Sequence, residues 1–149
     1  MDLGLRGHVA LVVGGTGLIG RAIVERLRTE GATAVAAARH VVDGITLDAQ
    51  DSASVTTALK QVIEQHGRLD ALVVAAAPSA QTLDASRHAD PDQVLAAVDA
   101  KAMSFLRLAN AALPIMARAG YGRIVGVSGQ NAFLTGNITG SVSTRRRRW

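Results

Sequence analysis

The run His8-Val9-Ala10-Leu11-Val12-Val13-Gly14 is apolar and β-branched almost without interruption, the pattern of a strand buried on both faces. It leads straight into a glycine cluster, Gly14-Gly15-Thr16-Gly17-Leu18-Ile19-Gly20. Glycines allow the sharp corner from strand to helix and let a ligand approach the backbone closely. Ile19, Ala22, Ile23 and Leu27 then recur at helical spacing, and Gly31 closes that helix. Strand, glycine turn and helix in this order can cradle a pyrophosphate, because the helix start offers free N–H groups and a partial positive charge. Taken alone, the loop reads equally well as a tight turn. No lysine follows the glycines (the first is Lys60), so this is not the phosphate loop of nucleotide hydrolases.

The alternation continues along the chain. Thr33 to Ala38 and Gly44 to Leu47 read as strands two and three. Val55, Leu59, Val62, Ile63 and His66 line one face of a helix that Asp51 or Ser52 can cap and Gly67 ends. Leu69 to Ala77 reads as strand four. Asp90-Pro91 opens a long helix whose buried stripe is expected at Leu95, Val98, Ala102, Phe105, Ala109 and Leu113, with a kink at Pro114 and an end at Gly120 to Gly122. Arg123 to Val127 is strand five. Such alternation predicts an α/β fold, a parallel sheet with right-handed crossovers. Ligands of these sheets bind beyond the carboxyl ends of the strands.

The 149 residues suit one domain over 1–140, followed by an Arg-rich, disordered tail over 141–149. The net charge of +4 lies in Arg145 to Arg148; without them 12 basic residues face 12 acidic ones. The domain therefore has no basic excess for nucleic acid. Four arginines beside Trp149 support only weak, salt-sensitive phosphate contact. No stretch has the apolar length of a membrane span, and Asp2 and the early glycines argue against a signal peptide. With no cysteine, thiolate metal sites and disulfides are excluded, and the cytoplasm is the expected location.

These motifs together resemble the short-chain dehydrogenase/reductase family over roughly residues 5 to 130. Gly14, Gly17 and Gly20 match its Thr-Gly-x-x-Gly-x-x-Gly turn, with Val13 in place of Thr. Asp48-Ala49 resembles the Asp-Val step that holds adenine, and Val74-Ala75-Ala76-Ala77 stands where the family has Asn-Asn-Ala-Gly. The stretch from Ala109 to Gly129 resembles the fourth helix and fifth strand. The resemblance implies a Rossmann-type doubly wound sheet of order 3-2-1-4-5, incomplete after strand five. It also implies an NAD(P) coenzyme with Gly14, Thr16, Gly17, Leu18 and Ile19 at the pyrophosphate, Asp48 and Ala49 at adenine, and Ala75 and Ala76 at the adenine-side ribose. An acidic residue at the end of strand two would hold the ribose hydroxyls of NAD, whereas arginine accommodates the 2′-phosphate of NADP. Arg39 occupies that place, so NADP is expected ahead of NAD; the bland alternative is a solvated strand-end charge.

The family's chemistry needs a Ser, a Tyr-x-x-x-Lys pair and an Asn on the long helix. In register these fall on Gly129 (beside Ser128), Val142, Arg146 and Lys101. Ser128 and Lys101 are thus the only candidate catalytic residues, and Lys101 also reads as a helix charge snorkelling to solvent. Tyr121, the single tyrosine, precedes strand five and belongs at the far edge of the sheet. Two functions follow as expectations. One is the coenzyme-binding part of an oxidoreductase acting on a small carbonyl or alcohol; the other is a non-catalytic coenzyme-binding, regulatory or dimerising module. The loss of pattern after Ser128 suggests a truncated or frame-shifted copy ahead of a short relative. Ile124, Val125 and Val127 are expected to leave an apolar edge that favours homo-oligomers. Gly126-Val127-Ser128-Gly129 misses the hydrolase elbow, since no His follows it, and His88, Asp90 and Asp92 suit a cap better than a metal.

Overall fold

The computed structural model describes residues 3–76 and 90–128. Five parallel strands, β1 (Val9–Val13), β2 (Thr33–Ala38), β3 (Ile45–Thr46), β4 (Ala71–Val74) and β5 (Arg123–Gly126), form one sheet of order β3-β2-β1-β4-β5. Helices α1 (Leu18–Thr29), α2 (Ser52–His66), α3 (Pro91–Val98) and α4 (Ser104–Ala119) accompany it, and a π-helical turn (Asp99–Met103) joins α3 to α4. This is the parallel α/β arrangement the sequence pattern predicts, with the Rossmann-type strand order that the family resemblance implies. β2 has the expected bounds, β1 and β3 are two residues shorter than expected and β5 one, and β4 runs only from Ala71 to Val74, which leaves His8, Gly14, Leu69, Asp70, Ala75 and Ala76 outside the ladder. The final residue of the expected fourth strand, Ala77, together with His88 and the 141–149 tail, lies outside the described residues.

Alternation along the strands divides the core in two. Leu11, Val13, Val35, Leu72 and Val74 point to the side covered by α2 and α4, where Val55, Leu59, Val62, Leu108 and Met116 complete the larger cluster. Val12, Ala34, Ala36 and Val73 point to the other side, where α1 supplies Val24, with Ile23 and Leu27 half-buried. The α1 contact line is therefore Gly20, Ile23, Val24 and Leu27, whereas Ile19 and Ala22, expected on the buried face, are exposed. Gly20 sits against Gly14 and Gly15, and this close seat decides which face of the helix turns inward.

Local signals hold at the helix ends. The Asp51 side chain accepts from the Ala53 N–H at 2.9 Å and Gly67 caps α2 in the left-handed conformation at φ 75°. Asp90 accepts from the N–H groups of Asp92 and Gln93, Pro91 takes the first turn of α3, and Gly120 ends α4 at φ 69°. The stripe expected along the long helix is corrected by the structure. Leu95, Val98, Ala102 and Leu113 are exposed and Phe105 and Ala109 half-buried, whereas Ala97, Ser104, Leu108, Ala112 and Met116 are buried. A π turn holds about one residue more than an α turn. It rotates the following face by about 100°, so one 3.6-residue pattern cannot describe both sides of Asp99–Met103.

The apolar edge is likewise narrower than expected. Ile124 packs into the larger cluster beneath α4 and Val127 against the smaller one, leaving Val125 exposed at 49%. Among the described residues no helix is long and apolar enough to cross a membrane.

Candidate coenzyme cleft

At the carboxyl edge of the sheet, β1 turns into α1 through Gly14 to Gly17. Gly14 adopts φ 82°, and a Cβ there would stand 2.6 Å from the Ala76 nitrogen, so this position has room for glycine alone. A Cβ on Gly20 would run into the Gly14 carbonyl. Gly17 differs: its φ is −74°, and a Cβ would meet only the Gly14 oxygen, at 3.4 Å. The protein's own packing does not demand glycine at 17. Gly17 is the N-cap of α1 and makes no side-chain cap bond, and the first helical bond runs from the Arg21 N–H to the Gly17 carbonyl. The N–H groups of Leu18, Ile19 and Gly20 precede that bond. With the helix dipole they form a partial positive charge at the corner.

A cleft of about 890 Å³ opens over this corner. Its lining includes Gly14, Thr16, Gly17, Leu18 and Ile19 from the first loop, Arg39 from the end of β2, Asp48 and Ala49 after β3, and Ala75 and Ala76 after β4. All ten residues nominated from the sequence thus meet in one cavity, of a size suited to a small-molecule or coenzyme ligand. The opposite wall is Ala96, Ala97 and Ala100 with the buried Ser104. Sequence reasoning missed this wall, because the π turn that presents it breaks helical periodicity.

The loop after β3 is tightly organised. The Asp48 N–H donates to Ser54 Oγ at 3.0 Å, and the Gln50 N–H donates to Asp48 Oδ1 at 3.0 Å. Gln50 Nε2 reaches across to Asp99 Oδ2 at 2.8 Å, where the Arg107 guanidinium also donates to Oδ1 at 2.6 Å. These partners hold the Asp99 carboxyl below the usual carboxylate range, the Gln50 hydrogen bond foremost. Arg39 is exposed on the cleft wall, and among the described residues no hydrogen bond or ion pair engages it.

Lys101 does not snorkel. Its Nζ donates to the Ala76 carbonyl at 3.0 Å and the Val127 carbonyl at 2.7 Å, and burial pushes its pKa down. Ser128, the other catalytic candidate, is exposed directly after Val127 and is not part of the cleft lining. The family positions that fall on Gly129, Val142 and Arg146 lie outside the described residues. Tyr121 stands at the amino edge of the sheet, its ring 5.3 Å from the His8 ring and 4.8 Å from the Arg123 guanidinium. That is the end of β1 opposite the glycine turn.

Comparison with known proteins agrees with this geometry. The short chain dehydrogenase family model matches residues 8–142. A 7alpha-hydroxysteroid dehydrogenase of Clostridium sardiniense is 31% identical over 141 residues, covering 83% of this chain and 54% of that protein. A doubly substituted Serratia marcescens short-chain dehydrogenase/reductase superposes with a TM-score of 0.72 at 31% identity, covering 86% of this chain and 59% of the other. Thermoplasma acidophilum aldohexose dehydrogenase shares the fold, with a TM-score of 0.78 at 22% identity over 95% of this chain and 57% of its own. The chain thus spans about half the length of the curated relative it matches. With the 3-2-1-4-5 sheet, the glycine corner and the family match all in agreement, the chain is a member of the short-chain dehydrogenase/reductase family.

Proposed function

We propose that the cleft binds a nicotinamide adenine dinucleotide, NADP in preference to NAD, and that this chain is the coenzyme-binding part of an oxidoreductase acting on small carbonyl or alcohol substrates. The observation that carries the reading is Gly17. The fold tolerates a side chain there, so the missing Cβ makes sense as room for something that comes from outside. The residues fit such a group: the start of α1 suits a diphosphate, the Asp48–Ala49 loop an adenine ring, and the unengaged Arg39 a 2′-phosphate. Bound there, the coenzyme supplies hydride; the chain's own task is to bind and orient it.

What this sequence lacks is the phenol that would protonate a substrate oxygen, since Tyr121 is its single tyrosine and lies at the wrong edge. That absence favours a second reading, a non-catalytic coenzyme-binding, regulatory or dimerising module. A cytoplasmic location and self-association along the Val125 edge accompany both readings. Two measurements test them. NADPH is expected to bind more tightly than NADH; equal or weaker NADPH binding removes the role of Arg39. NADPH oxidation with a panel of ketones and aldehydes is expected to stay at background. Turnover that a Gly17→Glu substitution abolishes would place a complete catalytic set in this chain.

A further inference from the structure

The register between β4 and β5 ends at Val74↔Gly126, and the Val127 N–H donates to the Val74 carbonyl just beyond it. Ala76, which lines the cleft, and Val127 therefore lie past the last pair. Lys101 bridges them, with one Nζ donating to both carbonyls. An ammonium drawn partly out of water is costly unless its protons are used, and here two of the three are. On its other side the Ala76 backbone lies against Gly14, within 2.8 Å of where a Cβ would stand, and the Ala75 N–H donates to the Val13 carbonyl at 2.8 Å. The contacts run unbroken from the π turn, through Lys101 and Ala76, to the glycine corner.

We propose that Lys101 is a positioning residue that clasps the ends of β4 and β5 and holds Ala76 against the glycine turn, so that the cleft is formed before its ligand arrives. The consequence for coenzyme binding rests on the function proposed above; the clasp itself does not.

The test uses the full chain carrying K101M, which keeps the length of the side chain but cannot donate, and K101R, which can. Amide hydrogen exchange is read at Ala75 and Val127, with Leu11 and Val12 as internal controls, and NADPH affinity is read alongside. In K101M, exchange at Ala75 and Val127 is expected to accelerate tenfold or more with the controls within twofold, and NADPH affinity to fall at least fivefold. K101R is expected to restore both. Unchanged exchange at Ala75 and Val127 in folded K101M, or K101R behaving like K101M, would overturn the clasp. Accelerated exchange in a chain whose wild type binds no NADPH leaves the clasp standing and removes the coenzyme reading instead. Should K101M fail to fold, the wild type decides. It has two lysines, Lys60 and Lys101, so selective ¹⁵N labelling gives two ammonium signals. Slow proton exchange with water is expected for Lys101 alone, and exchange as fast as that of exposed Lys60 would refute the proposal.

Discussion

The two edges of the sheet use their polar groups in opposite ways. At the amino edge, Asp70 is buried and fully engaged: Arg68 donates to both its oxygens at 2.7 Å, and the Val9 N–H donates to Oδ2 at 2.8 Å. Its backbone continues the tie, accepting from the Arg123 N–H and donating to the Val9 carbonyl. Asp70 thereby joins β1, β4 and β5 at their starts. At the carboxyl edge, where Lys101 and the Asp48 loop are bonded internally, the groups at the glycine corner and the end of β2 are left open: the first N–H groups of α1 precede any helical bond, and Arg39 has no partner among the described residues. Groups bonded to one another hold a fold together, whereas groups left open at a cleft are available to a ligand. Substitutions at the first edge should therefore change stability and spare binding, and those at the second should do the reverse.

The largest effect is expected at a place where the carboxyl edge is also structural. Gly20→Val puts side-chain atoms into the Gly14 carbonyl, which is backbone and cannot give way. A cost of about 3 kcal/mol or more is expected, and thermal melting should show a chain largely unfolded. A Gly20→Val chain that melts like the wild type would show that the corner is looser than the structure has it.

Asp70→Asn comes next. Burial pushes the Asp70 carboxyl up, but the Arg68 hydrogen bonds, the Val9 N–H and the nearby positive charge outweigh it, and the pKa lies below the ordinary value. A depressed folded pKa means that this stabilisation is complete above the unfolded value of about 4 and is lost as pH falls through the lower, folded one. At neutral pH the substitution should cost about 2 kcal/mol, flatten the acid side of the stability profile, and leave NADPH affinity within twofold. A large loss of affinity with little loss of stability would invert the contrast between the edges.

Arg39→Ala is the smallest change for the fold. As an exposed charge with no partner among the described residues it should leave the melting temperature within about 2 °C. NADPH affinity should nevertheless fall about tenfold while NADH affinity holds, as expected for the loss of one charged contact to a phosphate. Equal losses for both coenzymes would remove the 2′-phosphate assignment and leave the remainder of the cleft intact.

What the sequence made legible follows from how local each cause is. The glycine corner, the Asp51 and Asp90 caps and the Gly67 and Gly120 stops each act within a few residues, so their spacing alone announces them. The ten cleft residues are nominated through the family resemblance, which puts them in the loops after the strands and at the start of α1, and strand ends in a parallel sheet converge. Lys101 reads from its local pattern as a snorkelling helix charge, because the partners that hold it in place are 25 and 26 residues away. The Asp70 bond to Val9 spans 61 residues, and no pattern near Asp70 hints at it. The π turn was illegible for a different reason. It inserts part of a turn, so the hydrophobic positions on its two sides obey different phases, and an apolar stripe drawn through both lands on Leu95, Val98 and Leu113 in solvent.

The proposed coenzyme site rests on Gly17 being bare for a visiting diphosphate and not for the chain's own packing. Titrating NADPH, up to millimolar levels, into the folded wild type, Gly17→Ala and Gly17→Glu chains tests it directly. The expected result is saturable binding to the wild type, at least tenfold weaker binding to Gly17→Ala at an unchanged melting temperature, and none to Gly17→Glu. A folded wild-type chain that retains no coenzyme at those levels, or a Gly17→Glu chain that binds as well as the wild type, would contradict it.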